Sequence, residues 1–182
     1  VLAQVPGLGA AGGTSRPRYY QLRGVGEIEQ YQGAPNPSVG FLIDGIDFSG
    51  VGMPATLFDV ERVEVVRGPQ ATAYGANALA GLIALRTRAP GAGFAFSSEA
   101  TGGDYGTVSG GLALGGGTAQ GGWRIAAQQY RSDGFRRNAA LRRDDTNGFD
   151  EGTLRGRLRW QTANGLQLDA TLMRVDLDNG YD

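Results

Sequence analysis

The 182-residue sequence contains no cysteine and no histidine. Those absences exclude disulfides, Cys2His2 zinc sites, Ser-His-Asp triads and histidine general bases from this part of the chain. No segment approaches the ~20 consecutive apolar residues of a membrane-spanning helix, although membrane-spanning β-strands escape that test because their residues only alternate. A formal net charge of −1 also argues against a nucleic-acid-binding protein, which would be strongly basic.

Lysine is missing as well, since all 17 basic residues are arginine. Arginine favours fixed, bidentate pairing with carboxylates over mobile solvated charge. The sequence starts at Val1 without a methionine, a basic segment or a cleavage site. We therefore expect that a signal peptide has been removed or lies upstream of the sequence.

Glycine, in contrast, is abundant. The chain has 32 glycines, where average usage would give about 13. They follow no G-X-Y period, so a collagen-like structure is excluded. The excess indicates many turns, bends and close backbone approaches.

Before Pro90 the sequence alternates short apolar runs with irregular segments rich in glycine and proline. This pattern predicts a compact α+β unit with short strands. Single helical turns are expected at Leu57-Phe58-Asp59 and at Ala71–Tyr74. The predicted strands are Tyr19–Leu22, Val39–Ile43, Val60–Val66 and Leu79–Leu85.

After Pro90 apolar and polar residues alternate in runs of about 9–11 residues, which suits tilted strands crossing an outer membrane. In the clearest run Leu154, Leu158 and Trp160 face one way and Arg155, Arg157 and Arg159 the other. Alternation alone favours a soluble antiparallel sandwich. Three arginines opposite Asp169 fit a charged barrel lumen, and they fit a solvated sheet face equally well. The runs are 93–101, 107–115, one beginning at Trp123, 153–161 and 165–173.

The connections between these runs differ in length, with a long one at Asp133–Asp150 and a very short one at Thr162–Gly165. Outer-membrane barrels have short periplasmic turns and longer extracellular loops. The long connection is therefore predicted to lie outside the cell. In that orientation Trp123 and Trp160 lie near the periplasmic rim, where an aromatic girdle is expected.

Three motifs that resemble chemical sites are better explained as turns or loops. Gly7–Gly12 matches G-x-G-x-x-G, but Pro17 follows where a dinucleotide site needs a helix. Asp44 and Asp47 could serve acid–base chemistry, yet Asp44-Gly45 is a strong hairpin signal. Asp144–Asp150 could cradle calcium, but it lacks the EF-hand spacing. We therefore expect no catalytic residue, no metal site and no cofactor.

Three blocks resemble the plug domain of TonB-dependent outer-membrane receptors: QLRGVG at 21–26, NPSVGFLIDGIDFSG at 36–50 and VERVEVVRGPQATAYGANALAGLIALRTRAP at 60–90. They occur in the family's order and spacing, and residues 132–160 resemble the family's early barrel. Ala80-Gly81 departs from the usual Gly-Gly pair. The TonB box, which the energising partner grips, is expected upstream of Val1.

The resemblance implies a plug domain at 1–90, without its N-terminal start, followed at 91–182 by the first strands of an outer-membrane β-barrel. The fold class is then an α+β plug followed by antiparallel transmembrane barrel strands. Plugged barrels have about 22 strands. The roughly five predicted here make an incomplete barrel, so the sequence is expected to be a fragment of a longer protein.

The resemblance also implies a function, namely energised uptake of a scarce large nutrient rather than catalysis. The implied substrates are a ferric siderophore, cobalamin, haem or an oligosaccharide, and the implied partners are a TonB-type protein and outer-membrane lipid. A soluble β-rich binding module or adhesin is the alternative. In the family two plug arginines pair with barrel carboxylates, and they correspond to Arg23 and Arg67. Substrate contacts are expected in the apical loops at Arg16, Arg18, Glu27, Tyr31, Gln32, Asn36 and Phe48, and in the outer loop at Arg136 and Arg137.

Overall fold

The computed structural model describes residues 4–11, 17–28, 37–51, 57–70 and 77–180. These residues form two units. One takes in the described residues of Val1–Met53 and Val60–Thr87, and the other those of Pro54–Asp59 and Arg88–Asp182. The first unit contains β1 (Leu8–Ala11), β2 (Tyr19–Leu22), β3 (Val39–Ile43), β4 (Ile46–Asp47), β5 (Val60–Arg67) and β6 (Gly81–Thr87).

The first unit is built around a four-stranded sheet in the order β4-β3-β6-β5. Strands β3 and β6 run parallel, with Val39 opposite Gly81, and both are almost wholly buried. Their uninterrupted apolar runs are typical of strands covered on both faces. Phe41 is 1% exposed, and its ring stacks on Tyr20 of β2 at a centroid distance of 5.5 Å. The core of this unit therefore lies inside it, as in a soluble protein.

The hairpin predicted at Asp44-Gly45 is present between β3 and β4. Asp44 and Gly45 have φ values of 51° and 87°, as expected for the central residues of a type I′ turn. The carboxylate of Asp44 accepts hydrogen bonds from the backbone N–H of Thr87 at 2.9 Å and from its hydroxyl at 2.5 Å. Asp44 thus forms the turn and also fastens the end of β6.

The helical turn predicted at Leu57-Phe58-Asp59 is wrong. Leu57 is irregular, and Phe58 and Asp59 form a turn that leads into β5, with a left-handed φ of 61° at Asp59. The residues of the second expected helical turn, Ala71–Tyr74, lie outside the described part of the chain. No described segment is a helix long and apolar enough to cross a membrane.

The second unit is an antiparallel sheet of five strands in the order β13-β12-β9-β8-β7. The predicted number of strands is confirmed. The long connection between β9 and β12 is more than a loop, because it contains a small ladder of β10 and β11. The strands of this unit are β7 (Ala95–Gly102), β8 (Val108–Gly117), β9 (Gly121–Ser132), β10 (Arg136–Asn138), β11 (Arg143–Thr146), β12 (Phe149–Gln161) and β13 (Gln167–Leu177).

Candidate functional site

The five-stranded sheet exposes its apolar face. Register places Leu114 beside Ile125 and Trp123 beside Leu158, so their side chains share one surface. Every large apolar side chain of this surface is at least 40% exposed. An apolar patch of this size on a water-soluble sheet would be an aggregation site. The surface comprises Leu112, Leu114, Trp123, Ile125, Leu154, Leu158, Trp160, Leu168 and Leu172.

This apolar band has limits along the strands. Trp123 and Trp160 lie at the end next to the short β8–β9 and β12–β13 turns. Toward the β9–β12 connection the same face carries Gln129, Arg131 and Asp150, with Asp150 paired opposite Arg131. A band of aliphatic residues with aromatic residues at one border and polar residues at the other is typical of the lipid-facing side of an outer-membrane barrel.

The opposite face of the sheet buries charge. Arg124 of β9 and Arg155 of β12 are buried there, and Asp59 lies between them. Arg124 donates from Nε to both carboxylate oxygens of Asp59, at 3.0 and 2.9 Å, and also from Nη2. Arg155 donates from Nη2 to Oδ2 at 2.8 Å. The side chain of Asp59 is 1% exposed and those of both arginines are 7% exposed.

Asp59 and its neighbour Phe58 form a short segment that packs against the charged face of the sheet. The ring of Phe58 forms a buried cluster with Ala113 and Ala126. Gly111 leaves room for that ring, because a Cβ at this position would lie 2.9 Å from Phe58 Cγ. The backbone N–H of Arg88 donates to the carbonyl of Asp59 at 3.0 Å. The sheet therefore holds residues 58 and 59 through one apolar and one ionic contact.

Sequence reasoning missed Asp59, Arg124 and Glu151 as buried polar groups of this sheet. Glu151 is fully buried, and its Oε1 accepts a hydrogen bond from the Asn179 side chain at 2.7 Å. The alternation of the sequence could have indicated the position of Arg124. Trp123 and Ile125 lie on the apolar face, so the residue between them lies on the opposite face. Asp59 gave no such signal, since its partners lie 65 and 96 residues away in the sequence.

Arg23 and Arg67, the residues expected to form the plug–barrel lock, lie near one another in the first unit. Arg23 and Gly24 are the central residues of a tight turn closed by two hydrogen bonds between Leu22 and Val25. The backbone N–H of Arg23 donates to the Gly7 carbonyl at 2.7 Å. Arg67 donates from Nη2 to the adjacent Pro6 carbonyl at 3.2 Å. One backbone segment therefore contacts both residues, whose side chains are exposed.

The Ala80-Gly81 pair shows why the departure from Gly-Gly is tolerated. Gly81 has a φ of 154°, and a Cβ there would lie 2.4 Å from Leu22 Cδ1 and 2.5 Å from the Val66 carbonyl oxygen. Glycine is therefore required at position 81, where β6 begins against both β2 and β5. Ala80 is exposed. The chain keeps glycine at the crowded position of the pair.

Among the residues expected to contact substrate, Glu27 has a structural partner. Its two carboxylate oxygens accept from the backbone N–H of Ser38 at 3.0 and 2.9 Å, and Oε1 also accepts from the Ser38 hydroxyl at 2.7 Å. A Cβ at Gly50 would lie 3.7 Å from Pro37 Cγ, so the loop that follows Glu27 and the loop that contains Phe48 approach one another at these residues. Glu27 therefore closes the base of one loop.

The other expected contact residues divide into three groups. Arg18 and Phe48 are half-buried. Arg136 and Arg137 are exposed on β10, where Arg137 pairs with Asp144 at 3.2 Å. The remaining four lie outside the described residues: Arg16, Tyr31, Gln32 and Asn36. Within the described ranges, no group of three or more acidic side chains is placed to hold a metal ion.

Residues 1–82 match the family model described as the TonB-dependent receptor plug domain. These residues are therefore identified as a TonB-dependent receptor plug domain. The chain is 38% identical over 69 residues to the pesticin receptors of Yersinia pestis and Yersinia enterocolitica. That match covers 38% of this chain and 10% of the relative, so the chain spans only about a tenth of those relatives' length.

Solved structures agree with this assignment. The ferric yersiniabactin uptake receptor of Yersinia pestis is 26% identical, with a TM-score of 0.66 over 86% of this chain and 25% of that one. The pyoverdine outer-membrane receptor of Pseudomonas aeruginosa is 17% identical, with a TM-score of 0.73 over 98% of this chain and 25% of that one. The second similarity shows a shared fold. The fold class and the outer-membrane location predicted from the sequence are confirmed.

Proposed function

We propose that the complete receptor takes up a scarce iron-chelate ligand of the ferric siderophore class across the outer membrane, energised by a TonB-type protein. The observation that carries this proposal is the sheet with its apolar face exposed, in the same chain as a plug domain. Relatives support the ligand class, since one is a ferric yersiniabactin uptake receptor and another a pyoverdine receptor. A soluble binding module or adhesin would leave the apolar band in water.

In this proposal residues 1–90 are the plug and residues 91–182 begin the barrel wall. The two compact units support this division, since the second resumes at Arg88, and it also takes in residues 57–59 of the proposed plug. Further strands beyond the described chain complete the barrel, because an open sheet edge in lipid would leave backbone groups unpaired.

Arg23 and Arg67 are proposed to be the lock that holds the plug closed. Both are exposed and lie against the same Pro6-Gly7 segment, so two guanidinium groups are available to carboxylates of the barrel. Arginine suits this role because its planar fork binds a carboxylate in a bidentate geometry. The loops around Glu27 and Phe48, together with Arg136 and Arg137, are proposed to meet the ligand at the outer face.

The test is ligand uptake by the full-length receptor in a strain that lacks its own siderophore receptors. Ferric yersiniabactin and ferric pyoverdine with radiolabelled iron serve as probes, in cells with and without the TonB-type protein. We expect uptake of at least one probe that depends on that protein. Binding without energised uptake in either strain would contradict the transport proposal.

The lock is tested by the double variant Arg23→Ala/Arg67→Ala, with Arg62→Ala as the matched control. Arg62 is also an exposed arginine of β5, paired with Glu64 at 3.3 Å. We expect the double variant to change energised uptake while the control does not. Equal uptake in both variants would remove Arg23 and Arg67 from the lock.

A further inference from the structure

We propose that Asp59, Arg124 and Arg155 form a fixed anchor that keeps residues 58 and 59 on the strand sheet while the rest of the plug moves. This inference rests on the proposed uptake function. These three residues are the Asp59 anchor. Asp59 lies within the stretch matched to the plug domain, yet it folds with the strands of the second unit.

The charges of the Asp59 anchor are the reverse of those in the proposed lock. In the lock the plug supplies arginines, whereas in the anchor it supplies the carboxylate and the strands supply the arginines. Asp59, Arg124 and Arg155 are all buried. Removing one partner of a buried pair leaves an uncompensated charge, so such a contact is costly to break. The anchor is therefore assigned to the contact that stays when the plug moves.

Further hydrogen bonds hold the chain on either side of hairpin β5–β6. Hairpin β5–β6 begins just after Asp59 and ends just before Arg88, and the hydrogen bond from Arg88 N–H to the Asp59 carbonyl joins its two ends. The Arg88 carbonyl accepts from Arg157 Nη1 of β12 at 3.5 Å. The strands thus hold the segment that enters the hairpin and the segment that leaves it.

A second close approach follows within a few residues. A Cβ at Gly122 would lie 2.8 Å from the Gly91 carbonyl oxygen, and one at Gly117 would lie 2.7 Å from it. Gly93 N–H donates to the Gly117 carbonyl at 3.0 Å. The linker from Arg88 to β7 therefore packs closely against glycines of β8 and β9. Displacing it would break several contacts at once.

The consequence for transport is that the plug remains attached when it is energised. With the anchor in place, movement leaves residues 58, 59 and 88 on the sheet, and the barrel never becomes a fully open pore. Without the anchor, the same pull would displace hairpin β5–β6 as well. The leak that results should depend on the TonB-type protein, because loose packing alone would leak with or without it.

The experiment uses the full-length receptor with Asp59→Asn, Arg124→Gln/Arg155→Gln and the triple variant of all three changes. Asp59→Asn removes the carboxylate that both arginines share, and the double change removes both of its donors, so we expect lower thermal stability. The triple variant removes the charges on both sides of this contact, so its stability should be higher than that of either. The matched control is Arg159→Gln/Asp169→Asn, which neutralises a partly exposed pair at 2.7 Å between β12 and β13.

Permeability to vancomycin, which is too large to cross an intact outer membrane readily, is the deciding readout. We expect the triple variant to sensitise cells several-fold when the TonB-type protein is present and not when it is absent, with no change for the control. A triple variant that is as impermeable as the unchanged receptor in both strains would overturn the anchor. So would a leak of equal size with and without the TonB-type protein. If the unchanged receptor takes up no probe, it is the uptake proposal that fails instead.

Discussion

The two sheets of this receptor bury opposite kinds of side chain. In the four-stranded sheet Phe41, Leu82 and Ile83 are inside, as in a water-soluble protein. In the five-stranded sheet Leu158 and Leu172 are exposed while Arg124 and Arg155 are buried. In the proposed function both arrangements follow one rule, that apolar groups avoid water, because lipid would replace the protein core as the apolar medium for the second sheet. Solvent, rather than strand type, decides which face is buried.

The largest effect is expected for Phe41→Ala, which tests whether the first sheet has a packed core. Removing a buried aromatic ring leaves a cavity and costs about 3–5 kcal/mol. Faster hydrogen exchange at the amides of β3 and β6 in the full-length receptor would report the loss. Val25→Ala, at an exposed position of the same unit, should leave exchange unchanged. Equal exchange in the two variants would mean that this sheet has no tightly packed core.

The second test is Leu172→Arg on the exposed face of the second sheet, since Leu172 lies opposite Gly156, midway between the tryptophan border and the polar border. A lipid-facing arginine near the bilayer centre costs about 2–4 kcal/mol. We expect reduced stability of the receptor refolded in lipid vesicles, measured by urea titration. The matched control is Thr171→Glu, on the opposite face and paired with Arg157 across β12 and β13. If the two variants were equally stable, the apolar face would not be in lipid.

The smallest effect is expected in the pH dependence of the stability of the first unit, through the carboxylate of Asp47. Burial raises the pKa of Asp47, but hydrogen bonds from Ser49 and Asn77 outweigh that effect and hold the pKa below its ordinary value of 3.8. Because the pKa is depressed in the folded state, the stabilisation is fully present above that ordinary value. It is lost as pH falls from 3.8 through the folded pKa. We expect Asp47→Asn to flatten this part of the stability profile, measured by urea titration between pH 2 and 6, and an unchanged slope would contradict the assignment.

Much of the fold could be predicted from local pattern. Strands Tyr19–Leu22 and Val39–Ile43 have the bounds that their apolar runs predicted, and the Asp44-Gly45 turn is where its sequence places it. The five alternating runs became five neighbouring strands. The error at Leu57-Phe58-Asp59 arose because these residues take their conformation from contacts with strands remote in sequence.

The candidate site was less predictable. Glu27 was expected to meet substrate, but its carboxylate oxygens accept hydrogen bonds from Ser38 across a loop whose closure the sequence does not show. The proximity of Arg23 and Arg67 depends on the Pro6-Gly7 segment, which carries no motif. Four expected contact residues, Arg16, Tyr31, Gln32 and Asn36, lie outside the described residues and stay predictions.

The sequence by itself determined the strands, the turns and the family, because a two-residue period, an Asp-Gly pair and a spaced set of motifs are properties of neighbouring residues. Only the tertiary structure decided which face of the second sheet is exposed and that Asp59 lies between Arg124 and Arg155. Alternation is the same whichever side faces water. A buried charge finds its partner through the fold, across whatever length of chain separates the two.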